Sequence, residues 1–107
     1  MNQPEHTLVL TTLPADHDAL AFATRLVEER LAACVTILGE AQSVYRWEGR
    51  VTHDRERQLL VKTIASRVPA LTARIAELHP SEVPEIVAVP IHGGLETYLR
   101  WVSEMTI

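Results

Sequence analysis

Val44-Tyr45-Arg46-Trp47-Glu48-Gly49-Arg50 lies at the centre of the stretch whose reading decides the fold, Cys34 to Lys62. Upstream, Val35 and Ile37 alternate with Thr36, and Gly39 marks a bulge or bend. The extended run then reaches a turn at Glu48-Gly49. The return strand, Arg50 to Thr63, is polar through Gln58 and apolar from Leu59 to Val61. The spacing predicts a β-hairpin with a wet tip and a dry base. Its strands are far longer than the usual five or six residues or so, so the outer half must extend beyond the sheet. A free ribbon of that length is marginal in water, and this one carries Tyr45 and Trp47 near its tip. Either sister copies cover it, or it folds back on its own domain.

Working outward, Thr7 to Thr12 is a short β-branched run closed by Pro14, which reads as a buried strand from His6. Asp16 stands where an N-cap belongs, and Leu20, Ala23, Leu26, Val27 and Leu31 recur at helical spacing over residues 17–33. Beyond the hairpin, Ser66 is expected to cap a second helix, with Pro69 in its first turn. Val68, Leu71, Ile75 and Leu78 form its apolar stripe. That helix stops at His79-Pro80. Glu85 to Ile91 reads as a strand, and Pro90 assigns it to a sheet edge because proline donates no ladder bond. After Gly93-Gly94, a last helix aligns Leu95, Tyr98, Leu99 and Val102. The order β-α-β-β-α-β plus a terminal helix predicts an α+β, ferredoxin-like sandwich, with two helices on one face of an antiparallel sheet. Residues 1–107 read as a single domain.

Charge and composition narrow the partners. Net charge is −4, and the basic cluster Arg46, Arg50, Arg55 and Arg57 is interrupted by Glu48, Asp54 and Glu56. No nucleic acid or anionic membrane is expected as a partner. Met1 to His6 holds neither a basic nor an apolar leader segment, and the lone Cys34 excludes an intrachain disulfide. Both readings favour a reducing, cytoplasmic address.

Several stretches, in order along nearly the whole chain, resemble the CutA divalent-cation tolerance family. They are Thr11-Thr12-Leu13-Pro14, Glu28 to Val35, Tyr45 to Arg50, Leu60-Val61-Lys62-Thr63, His79 to Ile86, and Tyr98-Leu99-Arg100-Trp101. The resemblance implies a ferredoxin-like domain trimerised through long hairpins, similar in architecture to the PII signalling proteins. It also implies a role in response to divalent metal ions, with copper binding in some members. Two departures stand out. Ser81 occupies a position that is commonly tyrosine in the family. The family's proposed copper ligands, a cysteine and a His-His pair, fall on Thr11, Leu78 and His79, so His79 is the single candidate metal ligand that survives.

The residues themselves leave three readings of the chemistry. His6, His17, His53, His79 and His92 are scattered without ligand spacing, so a metal ion needs donors from another chain. Cys34, at the start of a buried strand, reads as a small core residue. Neither a glycine-rich phosphate loop nor a Gly-x-Ser-x-Gly nucleophile turn occurs, and the chain is read as a non-enzyme. The third reading is an intersubunit pocket for a small anion or metabolite, built from Tyr45, Trp47, Lys62, His79, Glu82 and Glu85.

Overall fold

A computed structural model describes residues 5–107; the reading of Met1 to Pro4 as free of a leader lies outside the described residues. Four strands, β1 (His6–Pro14), β2 (Cys34–Trp47), β3 (Arg50–Ile64) and β4 (Ile86–Pro90), form one antiparallel sheet in the order β2-β3-β1-β4. Helices α1 (Ala19–Glu28), α2 (Val68–Leu78) and α3 (Glu96–Met105) complete the chain. This is the expected ferredoxin-like α+β arrangement, with Pro90 ending an edge strand.

Alternation along β1 explains the layering. Val9 and Leu13 of β1 and Leu59 and Val61 of β3 point to one face, where Phe22 and Leu26 of α1 and Leu71 and Ile75 of α2 bury them. Burying each such side chain contributes about 2 kcal/mol, enough for these alternating positions to fix the register. The opposite face carries the rows Thr36, Leu60, Leu10, Val87 and Cys34, Lys62, Leu8, Val89. There α3 covers only one end, where Ser103 meets His6 at 2.8 Å and Tyr98 lies under the Lys62 ammonium.

Helix α1 is shorter than the predicted span over residues 17–33. The His17 N–H bonds the Pro14 carbonyl at 2.9 Å, forming a turn first, so Asp18 rather than Asp16 becomes the N-cap and accepts from Ala21 N–H at 3.0 Å. At the other end Arg30 adopts φ 59°, and Arg30 and Leu31 N–H groups return to Val27 and Leu26 carbonyls, both at 3.0 Å. That is a Schellman ending. The buried side of α1 is Ala19, Phe22, Ala23 and Leu26, while the predicted face residues Leu20 and Val27 are exposed. Ser66 does not cap α2. It lies within a 3-10 turn, Ala65–Arg67, and the α-helix begins at Val68, with Pro69 in its first turn and no side-chain cap.

The hairpin closes as predicted at Glu48 and Gly49, both with positive φ (49° and 80°), between paired Trp47 and Arg50. Two left-handed residues in a two-residue loop match the right-handed twist of the strands. The pairing shifts between Ile37↔Leu59 and Glu40↔Arg57, a bulge holding Leu38 and Gly39. Beyond it, β2 and β3 form an arm. The radius of gyration, 14.5 Å, exceeds the roughly 13 Å of a compact chain this long.

Candidate functional site

Where the arm leaves the sheet, a groove of about 990 Å³ opens between the end of β1, the arm and the segment from His79 to Glu85. Tyr45, Trp47, His79, Glu82 and Glu85 all line it, so one chain brings together five of the six predicted pocket residues. Lys62 is not among them. Its ammonium lies 5.5 Å from the centre of the Tyr98 ring, a cation–π contact under α3.

The groove is strongly acidic, since Asp16, Asp54 and Glu56 join Glu82 and Glu85 in its lining. Tyr45 donates its hydroxyl proton to Asp54 across the hairpin. That bond, then desolvation and the charges of Asp54 and Glu56, hold the phenol above its ordinary range. Sequence reasoning missed the lining residues Asp16, Asp54 and Glu56. It also missed Gln58, which supports the groove from outside its lining. Its amide donates to the Thr11 carbonyl at 3.0 Å and to a Glu85 carboxylate oxygen at 3.3 Å, tying the segment after α2 to β3. Its position at the boundary between the wet and dry halves of β3 was the available signal.

His79 is engaged at both ring nitrogens. The Ser81 backbone N–H donates to Nδ1 at 3.0 Å, so that nitrogen carries no proton. Nε2 therefore bears the proton and donates it to the Thr12 carbonyl, 2.6 Å away. A metal ion needs a free nitrogen lone pair, and this ring offers none. Of the other positions implied by resemblance, Leu78 packs against the core, and Thr11 is buried with its hydroxyl unpartnered among the described residues. Among those residues no group of three His, Cys, Asp or Glu side chains is placed to hold a metal ion. The residues of one chain do not fit a copper centre of that design. Cys34 opens β2, half-buried and directly across from Lys62.

The fold and the groove together define a ferredoxin-like α+β protein with a protruding β-arm. Within that class the chain belongs to the CutA1 divalent ion tolerance protein family, whose pattern matches residues 7–105. It is 50% identical over 99 residues to the divalent-cation tolerance protein CutA of Thermus thermophilus, covering 92% of this chain and 96% of that one. It is 41% identical to the human protein CutA over 89% of this chain, which spans 53% of the human protein's length. The crystal structure of CutA from Xylella fastidiosa superposes with a TM-score of 0.92 at 42% identity, covering 96% of this chain and 99% of that one.

Proposed function

We propose that the chain acts without catalysis, as a single-domain homotrimer in the cytoplasm, in the tolerance of divalent cations. The relatives' names as divalent-cation tolerance proteins support the role. The uncovered apolar face of the sheet carries the trimer. Val87 and Val89 remain 48% and 40% exposed beside half-buried Leu8, Leu10 and Leu60. An uncovered apolar sheet face of this kind is what self-association buries. Sedimentation equilibrium of dilute protein tests this: a particle three times the chain mass supports it, and a folded 12.0 kDa particle overturns it.

A second reading, a PII-like trimer that senses a small molecule or anion, is favoured by the groove that gathers Tyr45, Trp47, His79, Glu82 and Glu85. Its charge weighs against a free anion, which would meet the carboxylates of Asp16, Asp54 and Glu56. Copper bound at His79 would have to displace the Ser81 N–H. Calorimetric titration of the metal-free protein with Cu(II), Zn(II) and a metabolite panel separates these readings. Binding of Cu(II) that vanishes in His79→Ala assigns the metal to this ring. A metabolite that raises the melting temperature by mass action assigns a sensor.

A further inference from the structure

We infer that the groove takes an extended organic cation of the linear aliphatic polyamine class, its ammonium groups held by the groove's carboxylates and its methylenes lying against Tyr45 and Trp47. This ligand class rests on the second reading above, in which the groove is a small-molecule site.

The charges of the groove are unanswered. Asp16 comes from the turn after β1, Asp54 and Glu56 from β3, and Glu82 and Glu85 from the segment before β4. Among the described residues none of these five carboxylates forms an ion pair, whereas Glu29, Glu40, Glu77 and Glu96 each meet an arginine. The one guanidinium in the lining, that of Arg55, lies 3.8 Å from Glu40, which is outside it. His79 adds no positive charge, because the Ser81 N–H occupies one ring nitrogen and the other donates to Thr12. Like charges in one concavity repel each other and focus a negative potential outward. A cationic ligand relieves that repulsion.

These carboxylates are spread rather than convergent. No three of them are placed to share a metal ion, so one compact charge leaves most of the set unanswered. A ligand answers them when its own charges are spread along a chain. Between the acidic positions the lining is apolar, with Val44 on the arm and Val83 and Pro84 on the facing segment. Tyr45 and Trp47, 40% and 42% exposed, stand on the same side of the arm as Asp54 and Glu56. Aromatic faces attract ammonium groups, indole most strongly, and cover methylenes as well. The volume, about 990 Å³, falls at the upper end of the range for small-ligand sites and has room for a flexible chain. The walls are already tied, by Gln58 to Glu85 and by His79 to the end of β1, so binding orders little of the protein.

The test is calorimetric titration of the full chain with spermidine, with putrescine, choline, Mg(II) and a metabolite panel as comparators. Saturable binding of spermidine is expected, at least about three-fold tighter than putrescine, which has one ammonium fewer. Trp47→Ala removes a ring and leaves the charge, and should weaken spermidine about three- to ten-fold, while Trp47→Phe stays within about three-fold of the unaltered chain. Glu82→Gln with Glu85→Gln should weaken it at least about five-fold, whereas Glu28→Gln, on the exposed surface of α1, should leave it within about two-fold. Should Trp47→Ala fail to fold by circular dichroism, a Trp101→Phe chain decides, because Trp47 is then its only indole. A saturable shift of that emission with spermidine supports the inference, and an unchanged spectrum overturns it. Spermidine that Mg(II) displaces at equal charge, or that ignores Trp47→Ala, reports a diffuse ion atmosphere and overturns the inference. Choline bound more tightly than spermidine overturns the extended class. A metabolite of another class that binds where spermidine does not overturns the polyamine and leaves the small-molecule reading standing. A chain that takes none of these compounds overturns both.

Discussion

The imidazole of His79 bridges two segments, donating to the Thr12 carbonyl at 2.6 Å and accepting from the Ser81 N–H at 3.0 Å. It thereby fixes the start of the groove's outer wall to the end of β1. Removing it leaves a backbone donor and a backbone acceptor without partners in a half-buried place. His79→Ala is expected to cost about 2 kcal/mol in denaturant unfolding. Amide exchange at Ser81 should quicken more than exchange within β1.

Two buried threonines on the same sheet face are expected to respond in opposite directions. Thr63 donates to the Leu31 carbonyl at 2.7 Å, whereas the Thr11 hydroxyl has no partner among the described residues. Thr63→Val orphans a buried carbonyl and should destabilise by about 1–2 kcal/mol. Thr11→Val removes an uncompensated hydroxyl and should stabilise by about 1 kcal/mol. Urea midpoints of the two variants, moving apart around the unaltered chain, check the pair.

At the end of α1, Arg30 occupies the left-handed position that glycine fills most readily (φ 59°). Its side chain pays no steric toll once it is gone, so Arg30→Gly should gain up to about 1 kcal/mol, less the extra chain entropy of glycine. A lowered midpoint would show that Arg30 makes compensating contacts.

Acid stability should report on the bond between α1 and α2. Arg74 grips both Glu29 oxygens, through Nε at 2.8 Å and a terminal nitrogen at 2.9 Å. That hydrogen bonding, opposed by desolvation and aided by the charges of Arg74 and Arg25, holds the Glu29 carboxyl below its usual 4.5. A depressed carboxyl contributes its stability fully above the unfolded value. It loses that contribution as pH falls through the folded one, below 4.5. Glu29→Gln should therefore be less stable than the parent at neutral pH, with the difference shrinking as pH falls below about 4. A difference that does not change with pH would rule out the ion pair as its source.

At the alkaline end Tyr45 behaves in reverse. Its raised phenol pKa places the contribution of its bond to Asp54 below pH 10, to be lost as pH climbs through the folded value. Tyr45→Phe should remove this alkaline loss, and ultraviolet titration of the phenol checks the assignment.

Periodicity exposed most of this architecture. The hairpin turn at Glu48-Gly49, the edge strand at Pro90 and the stripe of α2 rest on local rules, and each appears where it was predicted. The ends of α1 did not, because a turn held by the Pro14 carbonyl and a left-handed Arg30 depend on backbone bonding that side-chain spacing does not encode. Leu20 and Val27 misled for a related reason: they are apolar at helical spacing yet exposed. The site was partly legible. Five of its residues lay in recognisable stretches, but Gln58 and Asp54 act through cross-strand pairing and Lys62 through a contact with α3 that only tertiary structure creates.

The bulge at Leu38 and Gly39 sets a parity. Before it, odd-numbered residues of β2 such as Ile37 pair with Leu59 on the helical side; after it, the odd-numbered Tyr45 pairs with Thr52 on the other. Because β3 is unbroken, trimming a single residue from the bulge would restore simple alternation, remove the local bend and leave Glu40 opposite Arg57 and Tyr45 opposite Thr52. The bulge is thus a buffer that takes up one surplus residue of β2, so a deletion at Leu38 or Gly39 should be tolerated better than one between Glu40 and Trp47, which would slide every outer side chain to the wrong surface.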